Sequence, residues 1–226
     1  MRSVRTLCSL VGVCALAVGL SAAPTPAQAQ TPVLCSEASL VNAISAANAA
    51  GGDTLILLPF CTYRLTGAHG HGPAGPVGLP PITAPVTLLG MGSTLTRDPS
   101  APPFRILEVD GAANIPGTNG QLSLAGITVR GGSAVAPYPG GGISNLGGTV
   151  SLVSSVVTGN TAVAGGGIYT DNGTVSLTAS SVTGNTAAFR GGGIYVNSGA
   201  ANLLASTVGD NTPDNCAPSG SVPGCT

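Results

Sequence analysis

Lysine is missing from this chain of 226 residues, and charged side chains make up only 7% of it. Nucleic acids and anionic membrane surfaces are bound through clusters of basic side chains, so we expect neither as a partner. The low charge does not predict disorder, because 43% of the residues are hydrophobic and Val, Ile and Leu recur at regular intervals. The composition therefore predicts a folded chain whose core is built from aliphatic side chains.

The first residues have the pattern of a secretory signal peptide, which we place at residues 1–29. An apolar run from Leu7 to Leu20 follows two arginines, and the small-residue sequence A-Q-A ends at Ala29. The run is too short and wrongly flanked for a membrane-spanning helix. Lipidation at Cys14 is an alternative, but Val13 is bulkier than the small residue that precedes a lipidated cysteine. We expect cleavage after Ala29, secretion to the extracellular space and no stable membrane anchor.

Residues 30–226 form the expected single domain, and four cysteines remain in it. Four cysteines allow three pairings, of which proximity in the sequence favours Cys35–Cys61 and Cys216–Cys225. A metal site is not indicated, because no C-x-x-C pair exists and both histidines, His69 and His71, lie in the glycine-rich stretch GAHGHG. We expect no metal and no cofactor.

A repeat covers residues 141–212. The segments GGGISNLGGTVSLVSSVVTGNTAVA, GGGIYTDNGTVSLTASSVTGNTAAFR and GGGIYVNSGAANLLASTVGDNTPDN align with spacings of 25 and 26 residues. Apolar residues alternate with small or polar ones within each segment, which predicts three short strands per repeat. The columns of equivalent residues are Ile143, Ile168, Ile194; Leu152, Leu177, Leu203; Val157, Val182, Val208; and Asn160, Asn185, Asn211.

A unit of three short strands cannot bury its own apolar face, so it must stack on its neighbours. The predicted fold is therefore all-β, a right-handed parallel β-helix of three-strand coils. The asparagine column is interpreted as structural, with side chains that hydrogen-bond along the stack. Pattern matching extends one strand column upstream and gives about six rungs, at Thr54–Leu58, Val86–Leu89, Leu122–Ala125, Val150–Val153, Val175–Thr178 and Ala201–Leu204.

Both ends of the stack have candidate caps. Residues 36–50 read as an amphipathic helix, with Ser36 as N-cap, Gly51 as terminator and an apolar stripe that includes Leu40 and Ile44. Such a helix would cover the open N-terminal strand edges. The segment 213–226, closed by its predicted disulfide, would cover the other end.

The motifs resemble two families. G-G-G-I-(Y) followed by V-T-G-N is similar to the repeats of polymorphic outer-membrane proteins, with Val157 and Val182 where that family has phenylalanine. The cysteine and helix at the start, the G-M-G segment at 90–92 and the GGG repeats together resemble small secreted proteins of the pectin-lyase-like superfamily. This second resemblance covers nearly all of residues 35–226 and implies a right-handed parallel β-helix. It implies less about activity, because one fold hosts many functions.

An enzyme of the pectin-lyase-like type would need clustered carboxylates, and only one pair is a candidate. In FRILEVDG, alternation places Glu108 and Asp110 on one face of a strand, about 7 Å apart, with Arg130 within one rung. We favour a solvated pair on the outer face and assign no catalytic residue. Tyr169 and Tyr195 form an exposed column, which we interpret as a stabilising ladder and not as a sugar site.

Three long insertions, 67–81, 98–103 and 131–140, are each placed between the second and third strands of a coil, so they should emerge at one corner. Arginines beside an aromatic at this corner could hold an extracellular polysaccharide or a cell-surface glycan. The candidate ligand-binding residues are Arg97, Arg130, Tyr138 and Arg190.

The favoured function is a non-enzymatic extracellular surface protein with an adhesion or glycan-binding role. The first alternative is a polysaccharide lyase or glycoside hydrolase, and the second is a purely structural extracellular scaffold. The oligomeric state is left open by the sequence.

Overall fold

The structure, a computed structural model, describes residues 30–225. The predicted signal peptide, with Cys14, lies outside the described residues. The elements in the first half of the described chain are β1 (Gln30–Val33), α1 (Glu37–Ala50), β2 (Asp53–Leu57), β3 (Thr62–Leu65), β4 (Gly70–Gly72), β5 (Gly75–Val77), β6 (Pro85–Arg97), β7 (Leu107–Asp110) and β8 (Gln121–Arg130). The later elements are β9 (Ile143–Leu146), β10 (Thr149–Val153), β11 (Val156–Thr158), β12 (Thr161–Ala164), β13 (Ile168–Asp171), β14 (Gly173–Thr178), β15 (Ser181–Thr183), β16 (Thr186–Arg190), β17 (Ile194–Val196), β18 (Gly199–Leu204), β19 (Thr207–Gly209) and β20 (Cys216–Ala217).

Most strands pair in parallel and form three faces. Face A contains β1, β2, β6, β8, β10, β14 and β18 in that order, and face C contains β7, β9, β13, β17 and β20. Face B contains β3, β11, β15 and β19 together with the second halves of β6 and β8, at 93–97 and 127–130. The first half of each long strand, β6 and β8, therefore lies on face A and the second half lies on face B. A short antiparallel hairpin joins β4 to β5, and β12 pairs with β16.

The three apolar columns of the repeat are confirmed. In each column the middle residue pairs with both of its equivalents: Ile168 with Ile143 and Ile194, Leu177 with Leu152 and Leu203, and Val182 with Val157 and Val208. Inward side chains from all three faces belong to one hydrophobic cluster. The fold is all-β with parallel sheets, as the alternation of apolar residues predicts.

The asparagine column is a hydrogen-bonded ladder. Asn160 Nδ2 donates to Asn185 Oδ1 at 2.9 Å, and Asn185 Nδ2 donates to Asn211 Oδ1 at 3.0 Å. The backbone N–H groups of Asn160 and Asn185 donate to the same two oxygens. Asn160 and Asn185 are fully buried, so their amides must find partners inside the protein. The structural interpretation of this column is confirmed.

Glycine is required in the triplets for two separate reasons, which the triplet 165–167 illustrates. Gly165 has φ of +60°, in the left-handed region that a side chain disfavours. Gly166 and Gly167 lie flat against the backbone of the next repeat. A Cβ at Gly166 would lie 2.6 Å from the Gly192 carbonyl oxygen, and one at Gly167 would lie 2.7 Å from that of Gly193. All three positions therefore exclude a side chain.

The predicted helix is present as α1. The Ser36 hydroxyl accepts a hydrogen bond from the Ser39 N–H, and Gly51 ends the helix with φ of +80°. Leu40 and Ile44 are fully buried. The helix packs against β1, β2, β3 and β6, which are the first strands of faces A and B.

Two details of the strand prediction were wrong. Face A holds seven strands in the described residues, one more than predicted, because Gln30–Val33 adds β1 before β2. This strand contains Pro32, which supplies no N–H, and it is tolerated because β1 lies at the sheet edge. The predicted strand Thr54–Leu58 is shifted by one residue, since β2 spans Asp53–Leu57 and Leu58 lies outside it.

Both predicted disulfides are present. Cys35 bonds Cys61 and Cys216 bonds Cys225, with Cα atoms 5.8 Å and 6.2 Å apart. Two such bonds favour an oxidising, extracellular environment. Within residues 30–225, no helix has the length and apolar character needed to cross a membrane.

Candidate functional site

A basic cleft lies on the outer side of face B. The register places Arg64 opposite Thr96, Thr96 opposite Arg130, and Arg130 opposite Thr158, so these side chains form one column across four strands. The cleft has a volume of about 440 Å³. Its lining is Arg64, Thr96, Arg97, Pro99, Arg130, Gly131, Thr158 and Gly159.

Arg97 is the anchored member of this cleft. Its guanidinium donates hydrogen bonds to the carbonyl oxygens of Gly131 at 2.9 Å, Ala101 at 2.7 Å and Asp98 at 3.1 Å. The side chain thus ties the 98–103 insertion to the start of the next one. None of these acceptors is a carboxylate, so the positive charge of Arg97 is held in place and is not neutralised.

Arg64 has a carboxylate partner. Its NH1 lies 3.0 Å from Asp98 Oδ2, on a side chain that is 60% exposed. Ser100 donates two further hydrogen bonds to Asp98, from its N–H and its hydroxyl. These bonds, together with the Arg64 charge, lower the pKa of Asp98 to about 2. Asp98 is therefore ionised at neutral pH and offsets one of the three arginine charges.

Arg130 is the third arginine of the cleft. Its side chain is exposed and has no hydrogen bond or ion pair within residues 30–225. Its neighbours in the column, Thr96 and Thr158, are uncharged. Neither of them supplies a carboxylate that would compete with a ligand for the Arg130 guanidinium. Arg130 can therefore offer both of its parallel N–H donors to an anion.

The four candidate residues are only partly brought together. Arg97 and Arg130 share the basic cleft. Tyr138 lies in a second depression, described below as the tyrosine depression, and Arg190 is exposed on β16, where its strand position is opposite Ala164. Arg64 completes the cleft and was not predicted, because the register of its strand with the regular repeats is not readable from the degenerate upstream sequence.

The three insertions do lie beside one another. Gly78 N–H in the first insertion donates to the Arg105 carbonyl at 2.8 Å, and Ser133 N–H in the third donates to the Phe104 carbonyl at 2.9 Å. The Arg97 guanidinium joins the second insertion to the third, as described above. These contacts place parts of the three insertions near residues 104 and 105, and their emergence at one corner stays a prediction.

The structure contradicts the prediction that the acid pair on β7, Glu108 and Asp110, is solvated. Glu108 is fully buried and Asp110 is 6% exposed, so the pair is not solvated. The hairpin of β4 and β5 covers it, and a Cβ at Gly72 would overlap Glu108 Oε1. The neighbouring cation is Arg105, not Arg130: Arg105 Nε lies 3.3 Å from Glu108 Oε2, with both side chains fully buried.

Burial dominates the protonation of this cluster. It raises the pKa of Glu108 to about 7, against the opposing influence of Arg105, and also raises the pKa of Asp110. Burial lowers the pKa of Arg105 to about 10, so Arg105 stays charged at neutral pH. Both oxygens of Glu108 lack a hydrogen bond from any residue between 30 and 225. A polysaccharide cannot reach these carboxyl groups while the hairpin is in place.

The histidines do not form a metal site in the described part of the chain. His69 Nε2 lies 2.7 Å from Glu37 Oε1 at the start of α1, and His71 is exposed on the hairpin. Among residues 30–225, no group of three or more His, Cys, Asp or Glu side chains is placed to hold a metal ion.

The tyrosine depression lies near the outer side of face C and has a volume of about 330 Å³. It is lined by Pro73, Ala74, Pro137, Tyr138, Pro139, Leu146 and Tyr169. Its lining has no arginine, in contrast to the basic cleft.

Comparison with protein-family models, curated proteins and solved structures finds no match to this chain. The resemblances to polymorphic outer-membrane proteins and to the pectin-lyase-like superfamily therefore rest on the sequence motifs alone.

Proposed function

We propose that this chain is a secreted, non-enzymatic surface protein that binds an acidic extracellular polysaccharide in the basic cleft. The observation that carries the proposal is the position of Arg130, an unpaired cation beside the anchored guanidinium of Arg97. Among residues 30–225, two of the three arginines in the cleft, Arg97 and Arg130, have no carboxylate partner. An adhesion role would follow if the bound polysaccharide lies on a cell surface.

The scaffold of this proposal is a right-handed parallel β-helix. Its support is the register: residues 25 or 26 apart pair in parallel on all three faces, and one hydrophobic cluster lies between the faces. The hand follows from the strong preference of parallel crossover connections for right-handed turns. Such a stack presents equivalent outward residues in straight columns, which suits a linear polymer.

The chemistry of the cleft favours a carboxylate or sulfate group on the sugar. A guanidinium binds such groups through two parallel hydrogen bonds, with a geometry that an ammonium group cannot match. The hydroxyl group of Thr158 stands beside Arg130 and can bond a sugar hydroxyl, whereas Thr96 is 8% exposed and its hydroxyl donates to the Arg97 carbonyl. The cleft volume falls within the ~300–1,000 Å³ that is typical of ligand sites.

Arg130→Gln tests the proposal, with Arg190→Gln as the matched control. Both arginines are exposed and lack side-chain partners in the described chain, but only Arg130 lies in the cleft. We expect a screen of acidic and neutral polysaccharides to show retention of an acidic class by the wild type. A charged hydrogen bond of about 1.5–3 kcal/mol corresponds to a loss of roughly tenfold or more in affinity for Arg130→Gln. Equal binding by both variants would reject the cleft as the site.

A polysaccharide lyase or hydrolase is the second candidate, and the Arg105, Glu108 and Asp110 cluster is the observation that favours it. A carboxyl with a pKa of about 7 can act as an acid or a base near neutral pH. Glycosidases, however, hold two carboxyl groups roughly 5–10 Å apart on either side of the glycosidic bond that they cleave. Here the hairpin of β4 and β5 covers the carboxyl groups, so a substrate does not reach them. Cleavage of an acidic polysaccharide that disappears in Glu108→Gln would establish the enzyme and displace the binding proposal.

A further inference from the structure

The tyrosine depression has two aromatic walls. Tyr169 stacks on Tyr195 of the next strand, with ring centroids 5.8 Å apart and planes inclined by 8°. On the preceding strand the equivalent residue is Ser144, so the aromatic column ends at Tyr169. The depression begins there, with Tyr138 and Leu146 also in its lining. An aromatic surface of this kind is the usual platform for the apolar face of a sugar ring.

The Tyr138 wall is fixed before any ligand arrives. The ring of Tyr138 covers Gly75 of the hairpin, where a Cβ would lie 2.6 Å from a ring carbon. Arg105 NH1 donates to the Pro139 carbonyl at 2.6 Å, and Gly140 N–H donates to the Ala164 carbonyl at 2.9 Å. On the preceding side, Ala134 N–H donates to the Thr161 carbonyl at 2.9 Å, so the segment that carries Tyr138 is held at both ends. Such preorganisation lowers the conformational entropy that is lost on binding.

The lining of the depression supplies no charged group to an acidic ligand, since the guanidinium of Arg105 lies buried behind it, bonded to the Pro139 carbonyl. The nearest ionised side chain on the same strand as Tyr169 is the carboxylate of Asp171. Burial, with further contributions from Asp171 and Tyr195, raises the pKa of Tyr169 to about 12. The phenol therefore remains a neutral hydrogen-bond donor at physiological pH. Three prolines complete an apolar lining, at positions 73, 137 and 139.

The stacking of Tyr169 on Tyr195 agrees with the predicted ladder. Contrary to the sequence interpretation, which excluded a sugar site here, we infer that the tyrosine depression is a second carbohydrate site, which takes a neutral pyranose chain stacked on Tyr169 and Tyr138. The site is separate from the basic cleft and, unlike the cleft, has an uncharged lining. It does not require the cleft to bind anything. A protein with both sites would bind an acidic and a neutral polysaccharide independently.

The test is a titration with neutral hexasaccharides of glucose, mannose, xylose and N-acetylglucosamine, followed by calorimetry and by tyrosine fluorescence. The protein has no tryptophan and four tyrosines, so the fluorescence reports on these rings directly. We expect at least one neutral hexasaccharide to bind the wild type. An aromatic contact contributes about 0.5–1.5 kcal/mol, so Tyr138→Ala should weaken binding by roughly two- to tenfold. Tyr138→Phe, which keeps the ring, should retain most of the affinity.

Phe189→Ala is the matched control, because Phe189 is an aromatic that is 73% exposed and lies outside the depression. Its affinity for the neutral hexasaccharide should equal that of the wild type. Arg130→Gln should also leave this affinity unchanged, which separates the inference from the proposal for the basic cleft. No binding of any neutral hexasaccharide by the wild type, or equal binding by Tyr138→Ala and Phe189→Ala, would overturn the inference.

Discussion

Arg105 Nε and Glu108 Oε2 lie 3.3 Å apart, and neither side chain has any surface exposed to solvent. The ion pair is incomplete, because Arg105 Nε and both oxygens of Glu108 lack hydrogen bonds within the described part of the chain. Burial without full hydrogen bonding disfavours the charged carboxylate, which is why the pKa of Glu108 rises to about 7. Asp110 and Tyr138 are the other titratable groups that act on this cluster.

The raised pKa of Glu108 predicts that the protein loses stability as the pH rises. Between its unfolded pKa of 4.5 and its folded pKa of about 7, Glu108 stays protonated only in the folded protein. Protons therefore favour folding in this window, and the free energy of unfolding should fall on the order of 3 kcal/mol from pH 4.5 to above pH 7. Glu108→Gln should make the profile shallower, as measured by urea unfolding at pH 5 and pH 8, while Asp110, whose pKa burial also raises, keeps part of the slope.

Asp98→Asn is the control for this pH profile. The pKa of Asp98 is about 2, so Asp98 is already ionised throughout the window and its replacement should leave the slope unchanged. A wild-type stability that increases from pH 5 to pH 8 would contradict the protonation of Glu108 in the folded state.

Gly72→Ala tests the hairpin cover. A Cβ at Gly72 would overlap Glu108 Oε1, whereas a Cβ at Gly67 in the same insertion would meet no atom within 4 Å. We expect Gly72→Ala to cost about 1–3 kcal/mol of stability through overpacking. Gly67→Ala should stay within about 0.5 kcal/mol of the wild type. Equal unfolding midpoints for the two variants would show that the hairpin does not lie on Glu108.

The asparagine ladder predicts that two asparagine-to-alanine substitutions differ strongly in their cost to stability. Asn185→Ala removes an amide that donates to Asn211, Val157 and Thr183 and leaves buried partners unsatisfied. Its cost should reach about 2–4 kcal/mol, since each unpaired buried group costs about 1–3 kcal/mol. Asn202→Ala, at an exposed position on β18, should be close to neutral. Similar unfolding free energies for both variants would argue against the ladder.

Local patterns in the sequence predict the regular part of this protein well. The isoleucine, leucine, valine and asparagine columns keep the same spacing within each repeat, because the one extra residue of the second repeat lies after Asn185. Alignment of the repeats therefore gives the strand register directly. The caps of α1 and both disulfides depend on residues close in sequence. These features were accessible because each has a short-range cause.

The candidate site was harder to predict because its causes are long-range. Alternation correctly placed Glu108 and Asp110 on one side of β7 but carried no information about the hairpin around Gly72 that buries them. Arg64 joins Arg130 only through Thr96, on a strand whose register is hidden by irregular upstream repeats. Tyr138 was expected beside the arginines, but the third insertion carries it to the tyrosine depression instead.

The most direct test of the central claim is an NMR spectrum of the arginine Nε–H groups during titration with an acidic oligosaccharide. The described chain has five arginines, so each signal can be assigned by single substitution. The account predicts that Arg130 and Arg97 shift most and Arg64 shifts with them, while the buried Arg105 and the remote Arg190 stay unchanged. Saturable shifts confined to Arg190, or shifts at none of the three cleft arginines, would contradict it.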